Sequence, residues 1–327
     1  MTGESELLRV EELSTRFPVQ GGVIHAVEGV SFTQRSGETM GIVGESGCGK
    51  STLARSILQL VRPSSGRVLF EGTDLVGLSA RRMRALRRHL QIVFQDPMAS
   101  LDPRFTIGRI LEEPLVIHGF GSKATRRARV AAMLEQVGLD PTAASRYPHE
   151  FSGGQRQRIG IARAIMLEPR LVVLDEPVSA LDVSIQAQIL NLLADLRESL
   201  GLSYLFISHD LAVVRAICDR VAVMYLGRIL EEAPTEQLFA QPAHPYTEAL
   251  LSAVPQPEPG ARRRRVVVSG EPPNPEHPPE GCPFHPRCPR AMPVCRREPP
   301  GMRALGDGRR VACHLHDPNL VDGSGQN

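Results

Sequence analysis

The chain has 327 residues, a length of about two domains with ample apolar material for a core. Its 42% hydrophobic and 23% charged residues are those of a soluble globular protein; no uncharged apolar run approaches the roughly 18 residues that span a bilayer, and no basic-then-apolar start precedes a cleavage site, so neither a membrane span nor a secretory leader is expected. A net charge of +2 argues against a dedicated nucleic-acid binder, and with no Trp and 4% aromatic residues, stacking platforms for single strands are not expected either.

Residues 7–35 alternate apolar and polar, as in Leu8-Arg9-Val10-Glu11, which predicts antiparallel strands with a turn at Gly21-Gly22. Phe17 is placed in the first of these turns, where it reads either as an aromatic that stacks on a base or as an apolar plug. Met40-Gly41-Ile42-Val43 reads as a buried strand. It leads into Gly44-Glu45-Ser46-Gly47-Cys48-Gly49-Lys50-Ser51-Thr52, a phosphate-binding loop of the form G-x-x-x-x-G-K-[ST]. A helix follows, Ser51 through Leu60, with apolar residues at Leu53, Ile57, Leu58 and Leu60. The glycines let backbone N–H groups close around phosphate oxygens at a helix N-terminus. Lys50 is then expected on the β- and γ-phosphates and the Ser51 hydroxyl on Mg2+.

Residues 67–71 and 90–94 read as strands, the second followed at once by Gln95-Asp96-Pro97. The run Arg81-Arg82-Met83-Arg84-Ala85-Leu86-Arg87-Arg88 reads as a basic helix, either a solvated face or a contact for acidic headgroups or a partner loop. From Thr106 to Glu150 the pattern is helical: Ile107, Ile110, Leu111 and Leu115 fit a 3.6 period, as do Val130, Met133, Leu134 and Val137, and Gly138 and Pro141 stop the second run. This block reads as an inserted subdomain. It ends in Phe151-Ser152-Gly153-Gly154-Gln155, a second glycine-rich turn opening a helix and hence a second potential anion site.

Leu171-Val172-Val173-Leu174-Asp175-Glu176 is an apolar strand ending in two carboxylates, where a parallel sheet carries its functional groups. Ser179-Ala180-Leu181-Asp182 caps a helix over 184–199. Tyr204-Leu205-Phe206-Ile207-Ser208-His209-Asp210 reads as another buried strand, ending in His209 on the same kind of edge. A helix at 211–217 and strands at 220–225 and 228–231 follow. After about residue 255 the composition turns Pro-rich, with Arg262–Arg265 inside the segment. Cys48 and Cys218 are isolated, whereas Cys282, Cys288, Cys295 and Cys313 cluster with the spacing C-x5-C-x6-C-x17-C. Such a cluster in a small irregular module reads as a staple. The spacing lacks the C-x2–4-C pairs common in structural zinc sites and suits a [4Fe–4S] cluster better. Zinc, and free or disulfide-linked thiols, remain as alternatives, with His285, His314 and His316 as further candidate ligands.

The order of phosphate loop, Gln95, Ser-Gly-Gly-Gln, Asp175-Glu176, Ser-Ala-Leu-Asp and His209 resembles the ATP-binding subunit of an ATP-binding cassette (ABC) transporter over residues 7 to about 255. Gln95-Asp96-Pro97, the stretch Asp175 to Gln186, His244-Pro245-Tyr246-Thr247 and Gly281-Cys282-Pro283-Phe284-His285-Pro286-Arg287-Cys288-Pro289 resemble the oligopeptide/dipeptide importer ATPases. The Asp-Glu-Pro-Val-Ser form resembles the F-type member of their paired D and F subunits. Phe151 stands where the family signature often has Leu, and both are packing residues.

The resemblance implies a P-loop NTPase core, α/β with a mixed or parallel sheet flanked by helices. It adds an antiparallel β subdomain, a helical subdomain over about 97–155 and a small irregular Cys-containing C-terminal module. The domains expected are 1–255 for the ATPase and 256–327 for the extension. It implies ATP and Mg2+ as cofactors, with Gly44–Thr52 cradling the phosphates and Ser51, Gln95 and Asp175 ordering Mg2+. Glu176 is implied as general base, His209 as a γ-phosphate contact, and Ser152, Gly153, Gly154 and Gln155 as a signature acting in trans on a partner's ATP. It supports the iron–sulfur reading of the four cysteines. The partners implied are a D-type ATPase subunit in a heterodimer, two membrane permease subunits and an extracytoplasmic substrate-binding protein, with the chain peripheral on the cytoplasmic face of the membrane. An importer of nickel or another small solute, and an ABC ATPase outside transport, are the alternative functions.

Overall fold

The computed structural model describes residues 5–96, 100–253, 270–271 and 273–321. Pro97 and the Arg262–Arg265 segment lie outside the described residues. In chain order the elements are β1 (Glu6–Val19), β2 (Gly22–Arg35), β3 (Thr39–Val43), α1 (Lys50–Ile57), β4 (Ser65–Phe70), β5 (Thr73–Asp74), α2 (Ala80–Leu86), β6 (Leu90–Val93), α3 (Ile107–Ile117) and α4 (Lys123–Gln136). There follow α5 (Gly153–Ile165), β7 (Leu171–Asp175), α6 (Val183–Leu200), β8 (Ser203–Ser208), α7 (Leu211–Ile217), β9 (Arg220–Tyr225), β10 (Arg228–Pro234), α8 (Thr235–Ala240), α9 (Pro245–Ser252), β11 (Arg303–Gly306) and β12 (Arg309–Val311). They fall into two compact units. One comprises Met1–Ser5, Arg35–Thr39 and Gly77–Ile207, the other Glu6–Gln34, Met40–Val76 and Ser208–Asn327.

The first unit is built on parallel strands in the order β6-β7-β8. Leu171 to Asp175 are all buried, as are all six residues of β8. That unbroken burial is what strands covered on both faces require. The Tyr204 hydroxyl donates to the Leu193 carbonyl at 3.0 Å, which satisfies a buried polar group inside this core. The helical block folds as its period predicts: Ile107, Ile110, Leu111 and Leu115 of α3 and Val130, Met133 and Leu134 of α4 are buried. In α2 only Met83 is buried, and Arg81, Arg82, Arg84, Arg87 and Arg88 are exposed.

The second unit carries two sheets. One has the order β2-β1-β4-β5, with β1 antiparallel to β4 and β4 to β5. The latter half of β2 alternates buried and exposed, as half-solvated antiparallel strands do, whereas β1 does so only in part, with a break in its pairing to β4 between Glu11 and Ser14. The other runs β11-β12-β10-β9-β3, antiparallel throughout except for the parallel pair β3–β9. Two local expectations need correction. The first hairpin turns at Gln20-Gly21, where Gly21 supplies a φ of 99°, so Phe17 belongs to β1 itself and is 37% exposed rather than a plug. Helix α1 stops at Ile57, because Gln59 is left-handed with φ 53°. One pairing had no sequence signal: β12, from the cysteine-bearing region, joins β10 with Glu231 opposite Val311.

Candidate active site

In the second unit, β3 hands the chain to the phosphate loop and α1 takes it away. The loop runs so close to neighbouring backbone that two positions admit only glycine. A Cβ on Gly44 would lie 2.1 Å from the Met224 carbonyl oxygen. A Cβ on Gly49, where φ is 104°, would lie 2.0 Å from that of Ala26. The loop is tied down further by Gly227 N–H donating to the Cys48 carbonyl at 2.9 Å and by Glu45 N–H donating to the Tyr246 hydroxyl at 3.0 Å. Ser46 and Gly47 are exposed, whereas Ser51 and Thr52 are half-buried. Lys50 is 5% exposed, and its Nζ donates to the carbonyls of Gly44 at 2.8 Å and Glu45 at 3.0 Å. Cys48 is buried, and burial raises its thiol pKa despite the neighbouring Lys50 ammonium. His209 follows β8 directly and is exposed.

In the first unit, β7 ends on Asp175, 2% exposed, and the next residue, Glu176, takes a left-handed φ of 50°. A non-glycine residue in that region is strained, and such strain collects at functional sites. Glu176 is fixed at both ends: its N–H donates to the Ile207 carbonyl at 3.0 Å, and Gln95 Nε2 donates to its carboxylate at 3.0 Å. The structure therefore brings together two residues that lie 81 positions apart.

The second glycine-rich turn is in the same unit. Ser152 caps α5: its hydroxyl accepts from Gln155 N–H at 3.4 Å, and the Gln155 side chain accepts from Ser152 N–H at 3.0 Å. Ser152, Gly153 and Gln155 are exposed, and Phe151 beneath them is buried, with the Arg146 guanidinium 4.3 Å from its ring centroid. A Cβ on Gly154 would sit 2.6 Å from Ile185 Cγ2, so α6 packs directly on the turn. Asp182 starts α6 with extended backbone and without a side-chain cap bond. The turn thus opens α5 with exposed backbone at Ser152 and Gly153, the Ser152 hydroxyl held in the capping box.

The ligands expected for Mg2+, the Ser51 hydroxyl, the Gln95 amide and the buried Asp175 carboxylate, are hard oxygen donors of the kind that ion takes. The four clustered cysteines are free thiols; Cys282, Cys295 and Cys313 are buried and Cys288 is partly so. Burial, and then the neighbouring thiols, push Cys282 up to about 12; Cys313 is likewise raised to about 11 and Cys288 upward. The thiols thus share a neighbourhood, but among the described residues no group of three or more His, Cys, Asp or Glu side chains is arranged to hold a metal ion. The iron–sulfur reading finds no support in this arrangement. The three histidines named with them make other bonds: His285, His314 and His316 each meet a backbone carbonyl at 2.9 Å, from Cys282, Glu298 and Ala243.

Sequence reasoning passed over Arg287 and Tyr246. Both lie in stretches that carried the resemblance, but only the fold shows that each contacts Glu45.

The ABC transporter family matches residues 27–179, and the C-terminal region of oligopeptide/dipeptide transporters matches residues 230–295. A Sinorhizobium fredii protein named "Probable peptide ABC transporter ATP-binding protein y4tS" is 55% identical over 319 residues, covering 95% of this chain and 90% of its own length. The oligopeptide transport ATP-binding protein AppF of Bacillus subtilis is 50% identical over 323 residues, 96% of this chain and 98% of its own. Among solved structures, a dimeric post-hydrolysis state of the ATP-binding cassette MJ0796 bound to ADP and Pi superposes with a TM-score of 0.65 at 29% identity, covering 70% of this chain and 99% of that one. The cbiO1 protein of Clostridium perfringens, part of the ABC transporter complex cbiONQ, gives 0.65 at 32% identity over 73% and 92%. The chain belongs to the ATP-binding proteins of ABC transporters, in the branch that carries the oligopeptide/dipeptide transporter C-terminal region.

Proposed function

We propose that this chain is the ATP-hydrolysing subunit of an importer that takes up di- or oligopeptides. Similarity to peptide-transport ATP-binding proteins along 95% of the chain supports the substrate class. The observation that carries the chemistry is Gln95 Nε2 donating at 3.0 Å to Glu176, a carboxylate set in a strained backbone beside buried Asp175.

Phosphoryl transfer to water needs positioning and charge neutralisation more than covalent chemistry. Lys50 and the loop amides of Gly44–Thr52 hold the β- and γ-phosphates. Ser51, Gln95 and Asp175 would hold Mg2+, which when bound offsets phosphate charge. Glu176 takes a proton from the attacking water as general base, kept in place by Gln95. His209 contacts the γ-phosphate, and Phe17 stacks on the base. Ser152, Gly153, Gly154 and Gln155 face outward, which suits a role in trans on ATP bound to a second subunit, a D-type partner. Closure and opening of that pair would drive two permease subunits fed by a substrate-binding protein, with this chain peripheral on the cytoplasmic face. No described helix is long and apolar enough to cross a membrane.

The test is Glu176→Gln. Hydrolysis falls by about 10²–10⁴-fold, the usual worth of a general base, while ATP binding persists. Hydrolysis at the wild-type rate defeats the assignment. The finer reading of the four cysteines, a [4Fe–4S] cluster that staples the module, needs its own measurement: visible absorbance of the chain purified without oxygen. A colourless protein with bound zinc, or with four titratable thiols, rejects it.

A further inference from the structure

Glu45 is an anomaly of placement. It puts a carboxylate inside a loop whose task is to hold a triphosphate, and like charges at close range oppose binding. Every polar handle of this residue is engaged. Its N–H donates to the Tyr246 hydroxyl at 3.0 Å, its carbonyl accepts from Lys50 Nζ at 3.0 Å, and its carboxylate receives Arg287 Nη1 at 2.8 Å and Nη2 at 3.1 Å. Arg287 comes from the C-terminal module, between Cys282 and Cys288. Its side chain is 8% exposed against 29% for Glu45, and Nη1 also donates to the Tyr225 hydroxyl at 3.3 Å. The guanidinium lies 5.8 Å from the Tyr225 ring centroid. Its Nε–H is buried without a partner among the described residues.

An ion pair that buries its guanidinium and leaves an N–H unsatisfied is a poor way to gain stability; an apolar filling would serve at least as well. What the pair does supply is a fixed, two-pronged hold and a cancelled charge. We propose that Arg287 is a positioning residue of the phosphate loop: it neutralises and clamps Glu45, so that the cysteine module sets the loop's affinity for ATP. This deepens the reading given above and rests on the loop being the ATP site. The carbonyl of Glu45 also holds Lys50, so the place of Glu45 governs where the ammonium waits. Freed of Arg287, the carboxylate is an uncompensated negative charge among groups that must accept phosphate.

Equilibrium binding of a fluorescent ATP analogue to the full-length chain tests this. Arg287→Gln weakens binding by on the order of tenfold, the loss typical when a residue that orients a binding group is removed. Adding Glu45→Gln to that variant restores most of the affinity, because the unpaired carboxylate is gone. A prop that merely holds the module in place gives the opposite result: the second substitution leaves the loss unchanged or deepens it. In steady-state hydrolysis the Arg287→Gln effect falls on KM for ATP more than on kcat. Unchanged affinity in Arg287→Gln, or a double variant that is not rescued, overturns the proposal. Should Arg287→Gln fail to fold, Arg287→Lys serves instead: it keeps the charge and loses the fork, and a tenfold loss in it rejects charge neutralisation. Lys50→Ala separates the two levels. If it binds ATP as the wild type does, the loop is not the ATP site; if it loses ATP while Arg287→Gln does not, only the role of Arg287 falls.

Discussion

The phosphate loop and the cysteine module lie in one structural unit and are built in opposite ways. Regular elements position the loop: a fully buried strand, β3, delivers it and α1 removes it, with glycines where backbone approaches within about 2 Å of a would-be side chain. The module around Cys282–Cys295 has only short 3-10 turns. Among its attachments are the Arg287 fork on Glu45, the Arg290–Glu248 ion pair, the β12–β10 pairing, and Phe284. Phe284 is fully buried, its ring centroid 5.4 Å from Tyr225, 5.3 Å from Tyr246 and 5.7 Å from His244. A site can thus be carried by secondary structure or by a few side-chain anchors, and the second kind leaves almost no periodic trace in a sequence.

Substitutions can break or sharpen that contrast. The largest effect on turnover is that of Glu176→Gln, which acts at a strand end and should leave the module untouched. The largest effect on stability belongs to Phe284→Ala. Removing a fully buried aromatic ring costs about 3–5 kcal/mol, read as a lowered denaturation midpoint. A cost under about 1 kcal/mol means the module is not anchored by its apolar contact, and the contrast collapses. A smaller, pH-dependent effect comes from His244, the cap of α9, whose Nδ1 accepts from Tyr246 N–H at 3.0 Å. Burial, then the nearby His316 and Arg290, push its pKa down from 6.5 to about 3, so it is neutral in the fold. The unfolded chain binds the proton more readily. The stability this residue gives is therefore present above pH 6.5 and declines as pH falls from 6.5 toward 3, by about 1.4 kcal/mol per unit. His244→Asn, which can still cap, should flatten the acid side of a stability-versus-pH curve between pH 6.5 and 5. An unchanged slope there rejects the assignment to His244.

The first region was legible because its physics is local. A hydrophobic run, glycines and a Lys-Ser pair specify strand, turn and helix within a dozen residues, and the buried faces of α3 and α4 follow from a 3.6-residue period. Phe17 lies in a strand rather than a turn because β1 runs on to Val19, past where its buried–exposed pattern gives way to exposed Arg16, Phe17 and Pro18. The family resemblance named Gln95 and Glu176 for one site but not the bond between them, which only the fold shows. Arg287, Tyr246 and the β12–β10 ladder were hidden because each is a contact between distant stretches that neither propensity nor spacing encodes. The cysteines show the converse. Their spacing pointed to a shared centre, and the fold brings the thiols within electrostatic reach of one another without arranging them as ligands.

The β12–β10 pairing also bears on where this chain can be cut. Strand β10, Arg228–Pro234, has β9 on one side and β12 on the other, so shortening the protein to its ATPase portion would open its β12-facing side, paired now at Glu231 and Glu232. Five residues of β10 are buried, and next to them the seat of Phe284 on Tyr225 and Tyr246 would be bare. An open strand edge is a template for joining another chain. A trimmed chain is therefore expected to self-associate more readily than the full chain, with the strand and helix that carry its nucleotide loop still in place.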